Sequence, residues 1–298
     1  MEDVTRPFGR LLTAMVTPFT ADGALDLEAT ASVATALVDA GNDGLVISGT
    51  TGESPTTSDE EKDRLLRAVV EAVGDRAHVI AGVGTNDTAH TIELAKHAEK
   101  AGAAGVLLVT PYYSKPPQEG LIAHFLAAAD ATGLPAMLYD IPGRSGVPLH
   151  TDTILRLAEH PRIVAVKDAK GDLPASTEVI ARSDLAYYSG DDVLNLPLFS
   201  IGAVGMVSVT SHVCSPQLLE MSEAFDRGDL EHARQINTAV WPAILGIMTR
   251  TQGAIMAKAA LELLGRLPNR TTRPPLIDAS PELVSLLRSD LRSAGLSV

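Results

Sequence analysis

Short apolar runs recur along the chain, separated by stretches long enough to hold a helix. They lie at Thr13–Val16, Gly44–Ile47, His78–Ala81, Gly105–Val109, Pro135–Tyr139, Ile163–Lys167, Leu185–Ser189 and Ala203–Val207. Their apolar residues are consecutive rather than alternate, the pattern of a strand covered on both faces. The intervening segments read as helices. One starts at Ser58, with Glu61 three residues on in a capping-box spacing. It carries Leu66, Val69, Val70 and Val73 along one face and stops at Gly74. Another spans Thr88 to Lys100, ahead of Gly102.

Eight strand–helix units predict an α/β fold: a (β/α)8 TIM barrel with a C-terminal helical extension. An open doubly wound sheet fits less well, because Gly82-Val83-Gly84 lacks the third glycine of a dinucleotide fingerprint. Beyond about Pro216 the strand pattern ends. Helices are predicted at Gln217–Phe225, Leu230–Arg250, Gly253–Leu264 and Pro281–Ala294, with Pro242 kinking or splitting the second. Arg270–Pro275 reads as an extended linker. The expected division is a catalytic barrel over residues 1–225 and a helical domain over residues 226–298.

In such barrels chemistry sits at the C-terminal strand ends. Thr50 and Thr51 follow the second strand, Tyr112 and Tyr113 the fourth, and Tyr139 ends the fifth. Lys167 ends the sixth, Gly190 follows the seventh, and Val207 ends the eighth. Lys167 closes the run Ile163-Val164-Ala165-Val166, where loss of water disfavours its ammonium form. A partly neutral amine attacks carbonyl carbon. Taken alone, such a lysine more often reaches solvent or pairs with a neighbour such as Asp168. The convergence on one rim reverses that weighting. Gly49-Thr50-Thr51-Gly52 offers backbone donors and hydroxyls to an anion. Tyr139 is a candidate proton carrier, and Arg144 a bidentate grip for a carboxylate. Tyr112 and Tyr113 sit among Pro111, Pro116 and Pro117, in a stiff loop suited to a site or an interface.

Charge and composition narrow the partners. A net charge of −13 argues against nucleic acid and anionic membranes. No apolar stretch of about 18 residues marks a membrane span. The acidic start Met1-Glu2-Asp3 lacks a signal peptide's basic region. Cys214 stands alone, so no intrachain disulfide is expected, and a cytoplasmic location is the default. No metal site is expected: His90, Glu93 and His97 share a helix face away from the strand ends. A Gly-x-Ser-x-Gly elbow is absent from the sequence.

Five segments together resemble the dihydrodipicolinate synthase family of pyruvate-dependent class I aldolases. They are Gly49–Ser54, Thr110–Tyr113, Tyr139–Arg144, Val166–Ala169 and Ser189–Asp192. The resemblance covers nearly the whole chain. It implies condensation of pyruvate with L-aspartate 4-semialdehyde, in the diaminopimelate route to lysine. Lys167 would form the imine without any added cofactor. Tyr139 would carry protons, and Thr50 and Tyr113 would complete a relay, Tyr113 from a neighbouring subunit. Thr51 and the Val207 backbone would hold pyruvate, with Gly190 among the substrate-binding positions. Arg144 would bind the semialdehyde carboxylate. A homotetramer is the usual assembly.

In lysine-inhibited members a regulatory pocket lies near the tight interface, and Ser54, Asn86 and Tyr112 match it. His90 replaces its acidic residue, and Asp59 and Lys62 replace its histidines, which predicts weak lysine feedback. Two other readings compete. A sister lyase, cleaving N-acetylneuraminate or a 2-keto-3-deoxy sugar acid, would share Lys167 and Tyr139. A catalytically idle keto-acid-binding barrel would keep the fold alone.

Overall fold

The computed structural model describes residues 5–298. Eight parallel strands pair in chain order and close on themselves: β1 (Leu11–Ala14), β2 (Gly44–Ile47), β3 (His78–Gly82), β4 (Gly105–Val109), β5 (Ala136–Asp140), β6 (Ile163–Asp168), β7 (Ala186–Ser189) and β8 (Gly205–Ser208). The outer layer comprises α1 (Leu27–Asp39), α2 (Asp59–Val73), α3 (Thr88–Lys100), α4 (Gln118–Asp130), the short α5 (Pro142–Ser145), α6 (Thr151–Ala158), α7 (Leu173–Arg182), α8 (Asn195–Ser200) and α9 (Ser211–Asp226). Three further helices follow: α10 (Leu230–Met248), α11 (Gly253–Leu263) and α12 (Pro281–Ser293). They pack on one another, and α10 runs against α9.

The predicted α2 forms as its sequence suggests. The Ser58 hydroxyl accepts from the Glu61 N–H, and the Glu61 carboxylate accepts from the Ser58 N–H at 2.9 Å. Such a cap is worth about 1 kcal/mol. Strands β2 and β4 fall where expected. The first strand starts at Leu11 rather than Thr13, because the Asp43 carboxylate accepts from the Arg10 and Leu11 N–H groups at 2.7 and 2.9 Å. The last starts at Gly205 rather than Ala203, in register with β1 through Met206 opposite Leu11.

Alternation along β6 decides where the chemistry faces. Lys167 lies opposite Tyr139 of β5 and Tyr188 of β7. Tyr188 is fully buried and fills the barrel, and its hydroxyl donates to the Gly9 carbonyl at the opposite end. Asp168 faces the helices instead. Its carboxylate accepts from the Tyr187 hydroxyl (2.6 Å), the Ser176 hydroxyl (2.5 Å) and the Lys170 N–H (2.6 Å). It is therefore occupied on the far side of the strand, which disposes of a Lys167–Asp168 pair.

Three expectations for the C-terminal half need correction. Pro242 does not split its helix: α10 runs from Leu230 to Met248 with the proline inside it, packed on α9, α11 and α12. Helix α9 begins at Ser211, earlier than Gln217, and passes through Pro216 by one non-helical residue, Cys214 (φ −122°, ψ 22°). The third concerns Arg270–Pro275, which is irregular but not a linker. The Arg273 guanidinium donates two hydrogen bonds to Glu61 (2.7 and 2.8 Å) and one to the Gly23 carbonyl (2.8 Å). Its N–H donates to Glu53 Oε2 at 2.9 Å. Lys258 of α11 pairs with Glu53 Oε1, both side chains 1% exposed. Charge complementarity thus fastens this segment to the barrel's upper rim.

Candidate active site

Lys167, placed by β6 at the rim, is buried, and its Nζ lies 4.0 Å from the centroid of the Tyr139 ring. Burial lowers its pKa to about 7. The nearby Asp192 carboxylate opposes that shift, Arg144 adds to it, and Asp191 opposes it. A large share of these amines is accordingly neutral near pH 7. Burial pushes the Tyr139 phenol up to about 12, with the Arg144 cation and the nearby Thr50 side chain pulling the other way. Tyr139 is therefore a neutral phenol that can give a proton and take one back.

A cavity of about 330 Å³ opens beside Tyr139, and Lys167 lies behind that ring rather than in the cavity lining. Thr50, Tyr112, Tyr113, Tyr139 and Arg144 all line it. Arg144 arrives on α5, a single turn started by Pro142, and its cation is felt by both Lys167 and Tyr139. Tyr113 sits at a left-handed backbone position (φ 74°), with its N–H bonded to the Ser145 carbonyl at 3.3 Å. Its ring is 89% exposed. Thr51 and Val207 are buried beside the site rather than in the cavity lining. Gly190 is required by close approach: a Cβ there would lie 2.8 Å from Lys167 Cγ and 3.0 Å from the Asp168 carbonyl. A larger open cleft of about 1080 Å³ lies at the other end, by Ile163 and Ala186. Barrel chemistry does not occupy that face.

The residues matched to a regulatory pocket do not all converge. Ser54 and Tyr112 line the 330 Å³ cavity, while Asp59 and Lys62 line a separate small one. His90 Nε2 lies 2.8 Å from the Asp59 carboxylate, and Lys62 Nζ lies 3.8 Å from it and donates to the Thr57 carbonyl. Asn86 is exposed and lines neither cavity.

One participant has no role in the sequence reading. Asp192 is buried, accepting from the Val209 and Thr210 N–H groups (2.9 and 2.8 Å) and from Asn195 Nδ2 (3.1 Å). Its proximity tempers the loss of charge on Lys167. Its signal in the sequence is the adjacent acid pair Asp191-Asp192 just past a strand end. Among the described residues, no three His, Cys, Asp or Glu side chains are grouped to hold a metal ion, and no helix is long and apolar enough to cross a membrane.

The arrangement provides a dry amine, a phenol and hydroxyl beside it, and a cation at the mouth. That is the equipment for imine chemistry on a carboxylate-bearing ketone. Known proteins resemble this chain closely. The 4-hydroxy-tetrahydrodipicolinate synthase of Kineococcus radiotolerans is 65% identical over 292 residues, covering 98% of this chain and 95% of its own. A crystal structure of DHDPS from Cyanidioschyzon merolae with lysine bound superposes with a TM-score of 0.96 at 42% identity, covering 98% of this chain and all of that one. The chloride-inhibited dihydrodipicolinate synthase of Acinetobacter baumannii, complexed with pyruvate, gives 0.93 at 36% identity, covering 98% of this chain and 100% of that one. A family profile matches residues 7–294, and with it the chain belongs to the Dihydrodipicolinate synthetase family.

Proposed function

We propose that this protein condenses pyruvate with L-aspartate 4-semialdehyde to 4-hydroxy-tetrahydrodipicolinate through an imine on Lys167. The observation that carries the reading is the buried Lys167 amine, with a pKa near 7, lying against the ring of Tyr139, which lines the cavity. Neutral Lys167 adds to the pyruvate ketone. The Tyr139 phenol protonates the departing hydroxyl, and water leaves as the C=N bond forms. Loss of a methyl proton then gives the enamine, whose carbon attacks the aldehyde. The semialdehyde's own amine closes the ring on the imine carbon and releases Lys167. Every atom and electron balances without an added cofactor.

Thr50 and Tyr113 supply the rest of the proton relay, and Thr51, Gly190 and the Val207 backbone seat pyruvate. The exposed Tyr113 ring at the cavity mouth favours a contribution from a second subunit, in a cytoplasmic homotetramer. Borohydride reduction in the presence of pyruvate, followed by peptide mapping, tests the reading. One reduced adduct on Lys167 is expected, and an adduct elsewhere or none would discard it.

Arg144 grips the semialdehyde in this scheme. Arg144→Ala should leave the pyruvate adduct intact while condensation falls by about 10²-fold, the loss expected when a bidentate ion pair is removed. Loss of both steps would make the arginine structural.

Lysine feedback should be weak. The Asp59 carboxylate is already engaged with His90, and Lys62 adds a cation beside it. Free lysine at sub-millimolar concentration should leave initial rates unchanged, and clear inhibition in that range would overturn this assignment.

A further inference from the structure

We infer that the buried Lys258–Glu53 pair is a positioning device for the pyruvate-side loop, not merely a tie between the C-terminal helices and the barrel. The inference rests on the imine reading above and deepens it.

Glu53 belongs to the same turn as Thr50 and Thr51. Its N–H bonds to the Thr50 carbonyl at 3.2 Å, and the Ser54 N–H bonds to the Gly49 carbonyl at 3.3 Å. Its backbone is left-handed (φ 54°), a conformation that residues with a side chain rarely adopt. A residue held there needs its surroundings to over-determine it, and such sites cluster where geometry serves function. The surroundings here are charges from a remote part of the chain. Lys258 is 1% exposed, pairs with Glu53 Oε1, and has its Nζ 4.1 Å from the Phe19 ring centroid. The Arg273 N–H holds the other carboxylate oxygen at 2.9 Å. The carboxylate is thus gripped at both oxygens by groups more than 200 residues away.

A buried ion pair is a weak source of net stability, because desolvating two charges offsets their attraction. Breaking one partner leaves an uncompensated buried charge, which is strongly unfavourable, and displacement of the turn that carries it relieves that cost. Here that turn carries Thr50, which lines the same cavity as the Tyr139 phenol. A shift of about 1 Å in such a group can cost roughly 10²-fold in rate. Arg144, by contrast, stands on α5 after β5, with no part in this pairing.

The test follows from that separation. Lys258→Met should lower kcat and the rate of borohydride-trapped pyruvate adduct together, by about 10- to 100-fold. It should raise the KM for pyruvate and leave the KM for the semialdehyde within about twofold, because Arg144 is undisturbed. Lys258→Arg keeps a cation opposite Glu53 and should recover most of the trapping rate and pyruvate KM. If Lys258→Met does not fold, Glu53→Gln carries the same comparison with the side-chain shape retained. The inference fails if both KM values shift in parallel, if Met and Arg behave alike, or if the folded variants trap pyruvate at the unaltered rate. Failure of the unaltered protein to trap pyruvate at all would instead remove the imine reading itself.

Discussion

Lys167→Ala should abolish the reduced pyruvate adduct and cut turnover by at least about 10⁴-fold, since the variant has no nucleophile to share the reaction into two easier steps. Intact-mass measurement after borohydride treatment reads the first effect and initial rates the second. An adduct persisting on the variant would move the chemistry to another amine. The unaltered protein should also show the amine's titration. With a pKa near 7, the lysine is mostly ammonium below that value and mostly free amine above it. The trapping rate at fixed pyruvate should therefore rise from about pH 6 to about pH 8, with its midpoint near 7. A flat profile, or a midpoint close to that of an ordinary lysine, would show that the amine is not desolvated in solution.

Tyr139→Phe should lower kcat by about 10²- to 10⁴-fold, the usual worth of a positioned acid–base group. The ring remains, so the surface against the Lys167 amine is kept and only the mobile proton is lost. Circular dichroism and thermal midpoint should stay close to those of the unaltered protein. Tyr139 lines the cavity beside the half-buried Thr50 side chain, and among the described residues none of the side-chain hydrogen bonds that tie the barrel together uses its hydroxyl. Near-normal turnover in the variant would take Tyr139 out of the mechanism and leave Thr50 and Tyr113 to be tested as carriers in its place.

How far the sequence could be read depends on how local each determinant is. Strands β2 and β4 begin at Gly44 and Gly105, glycines that open an apolar run, and both boundaries could be placed. The α2 cap is visible because both of its partners lie within four residues. The start of β1 is not visible. Leu11 through Val16 is mostly apolar, and its pairing is set by Asp43 and by β8, far along the chain. Pro242 misleads because helix packing outweighs one missing hydrogen bond. The candidate rim was legible because every strand end in a closed parallel barrel points to one mouth, so correct strand order alone brings Tyr139, Arg144 and Lys167 together.

The Glu53–Lys258 pairing was not legible as a contact, because its partners are 205 positions apart. A hint exists all the same. Lys258 interrupts the uncharged run Gly253–Leu261, and a lone cation inside an apolar helix segment calls for a buried acid. Val70 shows the opposite limit. Periodicity puts it with Leu66, Val69 and Val73, yet it is only half-buried, because the face presented to the barrel is centred on Leu65, Leu66, Val69 and Val73.

The alternation of β6 leaves two ionisable neighbours with separate sets of partners. The carboxylate of Asp168, held by Tyr187 and Ser176 on the helix side, is not among the charges that set the basicity of Lys167; Asp192, Arg144 and Asp191 are. One layer of backbone therefore keeps the two side chains from pairing directly. The polar cluster outside can anchor its helix without taking the amine as a partner.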